Sequence, residues 1–116
     1  MILITIQNIQ IAERNMLPAL KQVLYADQTQ EALEYISQTH NISEFELAAT
    51  VGYVLLGLMP VVELANNLQE SCNISQEQAY AVVVDIRKYI FAPIAGDLAT
   101  IQEIAKKNYN TYNKSL

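Results

Sequence analysis

From Leu47 to Val62 the chain carries no charged residue, and this run constrains the fold more than any other feature. Leu47, Val51, Val54, Leu55 and Leu58 recur every three to four positions, the period of one helix face. Ala48, Ala49, Tyr53 and Leu56 fill the other sides, so the helix is apolar nearly all round. Such a helix is stable in water only when other elements cover it. The fold class expected is all-α: a compact bundle of about five to six short helices around a central apolar helix. A membrane span needs roughly 20 predominantly apolar residues. This run is shorter, contains Gly52 and Gly57, and meets Pro60, so a buried core helix is expected rather than an inserted one.

Helix boundaries follow from local chemistry. Ser43-Glu44-Phe45-Glu46 and Ser75-Gln76-Glu77-Gln78 both have the capping-box pattern, and Ile42 and Leu47 sit at the staple positions around the first. Asp27 with Gln30 predicts a third start, and Pro18 fits the first turn of a helix carrying Leu17, Leu20 and Leu24. Asn41 and Gly57 are expected stops. Pro60 is expected at N1 of a helix with Leu64 and Leu68 inward. Ala79, Val82, Val83, Ile86 and Ile90 form the next buried stripe, which Pro93 either ends near Tyr89 or kinks so that it resumes from Ile94. Leu98, Ile101 and Ala105 mark a last helix. Residues 1–12 fit either a helix, through Ile2, Ile6 and Ile9, or a partly extended arm. The domain is read as 1–107, followed by a polar tail over 108–116 that lacks periodicity. Asn41-Ile42-Ser43 recurs as Asn73-Ile74-Ser75, and recurrence of capping chemistry explains this better than a duplicated hairpin.

Charge is distributed unevenly. The chain has 12 acids, 7 bases and a net charge of −5, and between Gln22 and Ile86 it has no Lys or Arg. Nucleic-acid surfaces need clustered cations to displace phosphate counterions, so the middle of this chain argues against a nucleic-acid partner. The acidic exterior serves solubility first and a basic partner second. With one cysteine, Cys72, no internal disulfide forms, and a cytoplasmic, reducing compartment is expected. No Lys or Arg precedes Arg14, so the apolar start lacks the basic flank of a secretory leader.

Catalytic and cofactor chemistry finds little material. His40 is the single histidine, so no Cys/His zinc cluster exists, and Ser37 stands where a Glu-x-x-His pair would need Glu. The 3 glycines build no phosphate loop. Neither cofactor nor metal is expected, and a nucleophile–base pair would require Cys72 or a serine to meet His40 across the fold. The positive signal is aromatic: 7 Tyr and 2 Phe with no Trp, tyrosine being suited to interfaces that bury a ring and keep a hydroxyl wet. Tyr53, Tyr80, Arg87, Lys88, Tyr89 and Phe91 are the candidate partner-binding residues, the last four forming the densest basic-aromatic cluster.

Leu55-Leu56-Gly57-Leu58 with Pro60, Asn67-Leu68, Ile74, Asp85-Ile86 and Ile90-Phe91-Ala92-Pro93-Ile94 form a pattern running from about Leu17 to Ile101. It resembles a small helical domain found in uncharacterised proteins of ultra-small candidate-phyla bacteria. The resemblance implies the fold and brings no activity. A non-enzymatic protein-interaction or assembly module is expected, either self-associating or docking on a larger complex. The alternative is a nucleic-acid-associated regulator using Arg87, Lys88, Lys106 and Lys107, or an acidic inhibitor of a nucleic-acid-binding protein.

Overall fold

A computed structural model of the chain describes residues 4–114, with side chains described through residue 107. The described residues form α1 (Ile6–Arg14), α2 (Pro18–Tyr25), α3 (Asp27–His40), α4 (Glu44–Leu55), α5 (Leu64–Cys72), α6 (Gln76–Ile86) and α7 (Ala95–Lys114). No strand occurs among them, and the fold is all-α. Since α6 runs on into α7 without leaving helical backbone, there are six continuous helical runs. None of the described helices is long and apolar enough to cross a membrane.

The uncharged segment is the centre. Leu47, Val51, Val54 and Leu55 of α4 are buried, and α4 packs against α2, α3, α5 and α7. The core continues through Leu20, Ile36, Leu64, Leu68, Val82 and Ile86. Burying one such side chain stabilises the fold by about 1.5–3 kcal/mol relative to leaving it in water. Thr50 is the polar residue admitted at the centre, with its needs met locally. Its hydroxyl donates to the Glu46 carbonyl at 2.8 Å and accepts from Asn67 Nδ2 at 2.8 Å, joining α4 to α5.

Helix ends obey the expected stops. Asn41 and Asn73 both adopt left-handed backbone, φ 53° in each, where asparagine is among the few side chains tolerated. Gly57 follows α4 at φ 76°, with its own N–H bonded to the Val54 carbonyl and that of Leu58 to the Tyr53 carbonyl. This doubly bonded ending satisfies two carbonyls that the helix leaves open. Gly57 is also a contact: a Cβ built there would lie 2.8 Å from Cγ1 of Ile101 on α7.

Helix starts depart from expectation more often. Asp27 does not cap α3. Ala26 is at once the end of α2 and the start of α3, which leaves Asp27 in the first helical turn and Gln30 donating to Glu44 at 3.5 Å. Ser43 and Ser75 accept from the N–H groups of Glu46 and Gln78 at 3.2 and 3.1 Å, forming half of each box. In the second, the Gln78 side chain donates instead to the His40 carbonyl at 2.9 Å, closing the end of α3. The complete box is Thr5 with Asn8, which opens α1 and resolves residues 6–12 as helix. Ile2 of the expected face lies outside the described residues. Pro60 is not at N1 of an α-helix; it is extended and precedes a single 3₁₀ turn, Val61–Glu63, ahead of α5.

Of the two outcomes expected at Pro93, the structure takes continuation: helical backbone runs through it and α7 resumes from Ala95. The backbone passes from α6 into a π-helical turn, Arg87–Phe91, then a 3₁₀ turn, Ala92–Ile94, and then α7. Proline lacks the N–H that an α-helix would use and crowds the preceding turn. The wider π turn, in which the Ala92 N–H reaches the Arg87 carbonyl, takes up the mismatch. Helical backbone also extends through residues 108–114, where a non-periodic tail was expected, and the last tail residues, Ser115 and Leu116, lie outside the described residues.

Candidate interaction surface

The π turn forms a shoulder on the bundle and sorts its side chains by direction. Ile90 and Phe91 go into the core, while Arg87, Lys88 and Tyr89 stay outside. Phe91 is 4% exposed, so it is a core residue rather than the free anchor expected from sequence. Tyr53 is corrected likewise: its ring is partly buried and packs against the core from α4. The reason is the same in both cases. A ring on a helix enclosed by its neighbours is buried whatever its suitability for an interface.

Tyr80 and Tyr89 remain available, at 60% and 43% exposure. Tyr80 stands one turn before Val84, which is 61% exposed, and residues four apart share a helix face. Tyr89 packs edge-to-face on Tyr35 of α3, ring centres 5.5 Å apart at 73°. Lys88 Nζ lies 5.1 Å from the Tyr89 centroid, a cation over an aromatic face. Gln28, Glu31 and Ala32 complete a shallow notch beside this tyrosine pair.

On the other side of the shoulder is an apolar groove of about 320 Å³. Val61, Phe91, Ala95 and Leu98 supply its apolar wall, with Arg87 and Gln102 as its polar members. Gln102 Oε1 accepts the Val61 N–H at 2.7 Å and so caps the 3₁₀ turn from across the fold. That bond fixes which end of the amide is oxygen. Gln102 Nε2 is consequently shut from solvent with no acceptor. Arg87 likewise has no ion-pair or hydrogen-bond partner for its guanidinium among the described residues. The groove therefore sets an exposed, unpaired guanidinium against an apolar wall, with the orphaned Gln102 amide buried behind it.

Several residues at this surface escaped the sequence reading. Tyr35 and Val84 are ordinary helix residues until the shoulder is built beside them. Gln102 gave no signal, because its partner, Val61, lies 41 residues away. On α4, Phe45 is the most exposed of the large apolar side chains among the described residues at 78%, although sequence marks it as part of a capping pattern.

The titratable residues assemble differently from a catalytic site. His40 Nε2 lies 2.7 Å from Asp85 Oδ2, tying the end of α3 to α6 beside the Gln78–His40 carbonyl bond. Cys72 has Ser71 as its near polar neighbour, Sγ to Oγ 3.9 Å. Lys106 pairs with Glu103 at 3.9 Å. Among the described residues no three His, Cys, Asp or Glu side chains are grouped to hold a metal ion. Scans against protein-family models, curated proteins and solved structures each returned no match.

Proposed function

We propose that this chain is a non-enzymatic protein-interaction or assembly module in a reducing, cytoplasmic setting, and that it docks through the π-turn shoulder. The observation that carries the reading is the set of aromatic and apolar side chains left in water on that turn and the helices joined or packed to it: Tyr89 on the turn, Tyr35 against it, and Tyr80 and Val84 on α6, each between 43% and 61% exposed. A chain with so little charge that still leaves these groups exposed gains by covering them with another protein. π turns recur at functional sites, since they cost regular hydrogen bonding and persist where they re-aim side chains.

A protein partner is favoured over nucleic acid because Arg87 stands at this surface without a second free base beside it. Lys88 rests on Tyr89 and Lys106 on Glu103, while phosphate binding needs several free bases side by side. We also propose a relationship of fold to the candidate-phyla proteins noted above, with no activity attached.

The test is site-specific photocrosslinking of the full chain. A benzoylphenylalanine residue is placed at Tyr80 or Tyr89, with Gln7 on α1 as the control position. Discrete protein adducts from the two shoulder positions and none from Gln7 are expected. Equal labelling from all three, or none from any, would refute the reading.

A further inference from the structure

The structure holds both halves of a contact that it cannot make within one molecule. One half is the groove beside the π turn, apolar along Val61, Phe91, Ala95 and Leu98, with the unpaired Arg87 guanidinium and the orphaned Gln102 Nε2. The Arg87 guanidinium, exposed and without an ion-pair partner among the described residues, selects an occupant that carries a carboxylate beside an apolar group. The other half is Phe45. It sits in the first turn of α4 between Glu44 and Glu46, with its ring in water.

We infer that the occupant is a second copy of this chain, whose Phe45 ring enters the groove while the flanking Glu44 carboxylate meets Arg87. Charge complementarity singles out this partner. The bases nearest the groove are Arg87 and Lys88, and the segment bearing Phe45 belongs to the span from Gln22 to Ile86 that has no base at all. Size agrees: an apolar cavity of about 150 Å³ suffices to hold benzene, and the groove measures about 320 Å³. The Glu46 carboxylate has no side-chain partner among the described residues, and that of Glu44 has only a long contact of 3.5 Å from Gln30, so both are available. A seated ring also excludes water from Arg87, which strengthens its pairing with the incoming carboxylate.

Two copies that exchange this contact reciprocally close as a twofold dimer, whereas a one-way contact extends head to tail. This inference rests on the shoulder being an interaction surface and specifies one occupant for one side of it.

The experiment is sedimentation equilibrium of the full chain over micromolar to millimolar concentration at physiological salt. Self-association is expected in the wild type. Phe45→Ala and Arg87→Glu are both exposed changes outside the core, and each should weaken it by about tenfold or more, in line with loss of an anchor or a charge-assisted bond. Mixing the two variants should restore a heterodimer, because one supplies an intact knob and the other an intact groove. The double variant Glu44→Arg with Arg87→Glu should regain association relative to Arg87→Glu alone. A wild type that stays monomeric, or an oligomer indifferent to both single variants, overturns the inference. If the monomer nevertheless crosslinks another protein through Tyr80 or Tyr89, the shoulder reading stands and only the copy–copy contact falls. If it crosslinks nothing, both fall.

Discussion

Gly57→Ala should be among the most destabilising single-methyl changes available to this chain, for two separable reasons. Gly57 has φ 76°, and an L side chain placed in left-handed backbone costs roughly 1–2 kcal/mol. The added Cβ would also lie 2.8 and 2.9 Å from Cγ1 and Cδ1 of Ile101, well inside contact distance. Ile101 is 6% exposed, so it has little room to rotate away, and overpacking a core of this kind costs roughly 1–3 kcal/mol. Together the two give a loss of about 2–5 kcal/mol, a large share of the roughly 5–15 kcal/mol that holds a domain folded. Urea unfolding followed by circular dichroism at 222 nm measures it. A double-mutant cycle with Ile101→Ala then separates the parts. In that background the steric component vanishes, and Gly57→Ala should cost only the backbone component, about 1–2 kcal/mol. An equal cost in both backgrounds would refute the role given to Ile101. A loss below about 0.5 kcal/mol in the wild type would refute the argument altogether, since surface substitutions alone reach that size.

Other outcomes follow from the helix ends and one surface pair. Thr5→Ala removes the complete capping box and should weaken α1 by about 1 kcal/mol. None of the α1 residues is buried, so the loss should show as faster amide exchange at Asn8 and Ile9 with little change in the global midpoint. Asn73→Ala should destabilise by about 1 kcal/mol through its left-handed backbone, while Asn73→Gly should be near neutral, and thermal melts of the two variants compare them. Thr50→Val should cost about 1 kcal/mol by stripping Asn67 Nδ2 of its acceptor, read from the same unfolding curves. The Tyr25 hydroxyl donates to the Glu13 carboxylate, and that hydrogen bond, with some desolvation and the nearby negative charge, raises its pKa above the usual 10.0. The raised value favours the protonated phenol in the folded state. Its contribution is complete below pH 10 and is lost as pH rises through the folded value. Tyrosine ring NMR should show Tyr25 titrating late, and Glu13→Gln should bring it back toward 10.0.

The capping residues show how far local reading reaches. Ser43 and Ser75 begin helices, and Asn41, Gly57 and Asn73 are each the left-handed residue that closes one, as their side chains or lack of one dictate. Each outcome depends on bonds spanning three to five residues, so the information lies within the same short segment. The central helix was legible for a related reason: the uncharged run that begins at Leu47 leaves α4 no charged face to turn to solvent over its last nine residues, 47 to 55. What failed was any choice between a local partner and a distant one. Gln78 leaves the box predicted for it because the His40 carbonyl, 38 residues away, lacks a donor. Gln102 is engaged by a backbone N–H from another helix start.

The same division holds for the candidate surface. Its basic and aromatic residues could be named from the sequence as Tyr80, Arg87, Lys88 and Tyr89, but that Phe91 turns into the core and Tyr53 packs partly buried against it could not. By itself the sequence determined that this chain is helical, where α3 and α4 stop, and which helix lies at the centre, because backbone hydrogen bonds and apolar periodicity act over one or two turns. Tertiary structure alone decided that Pro93 is carried through a π turn, that Phe45 is left in water, and that Arg87 and Gln102 share a groove without acceptors. Those outcomes depend on which distant segments meet, and a side chain with several possible partners is committed only when packing brings one of them within reach.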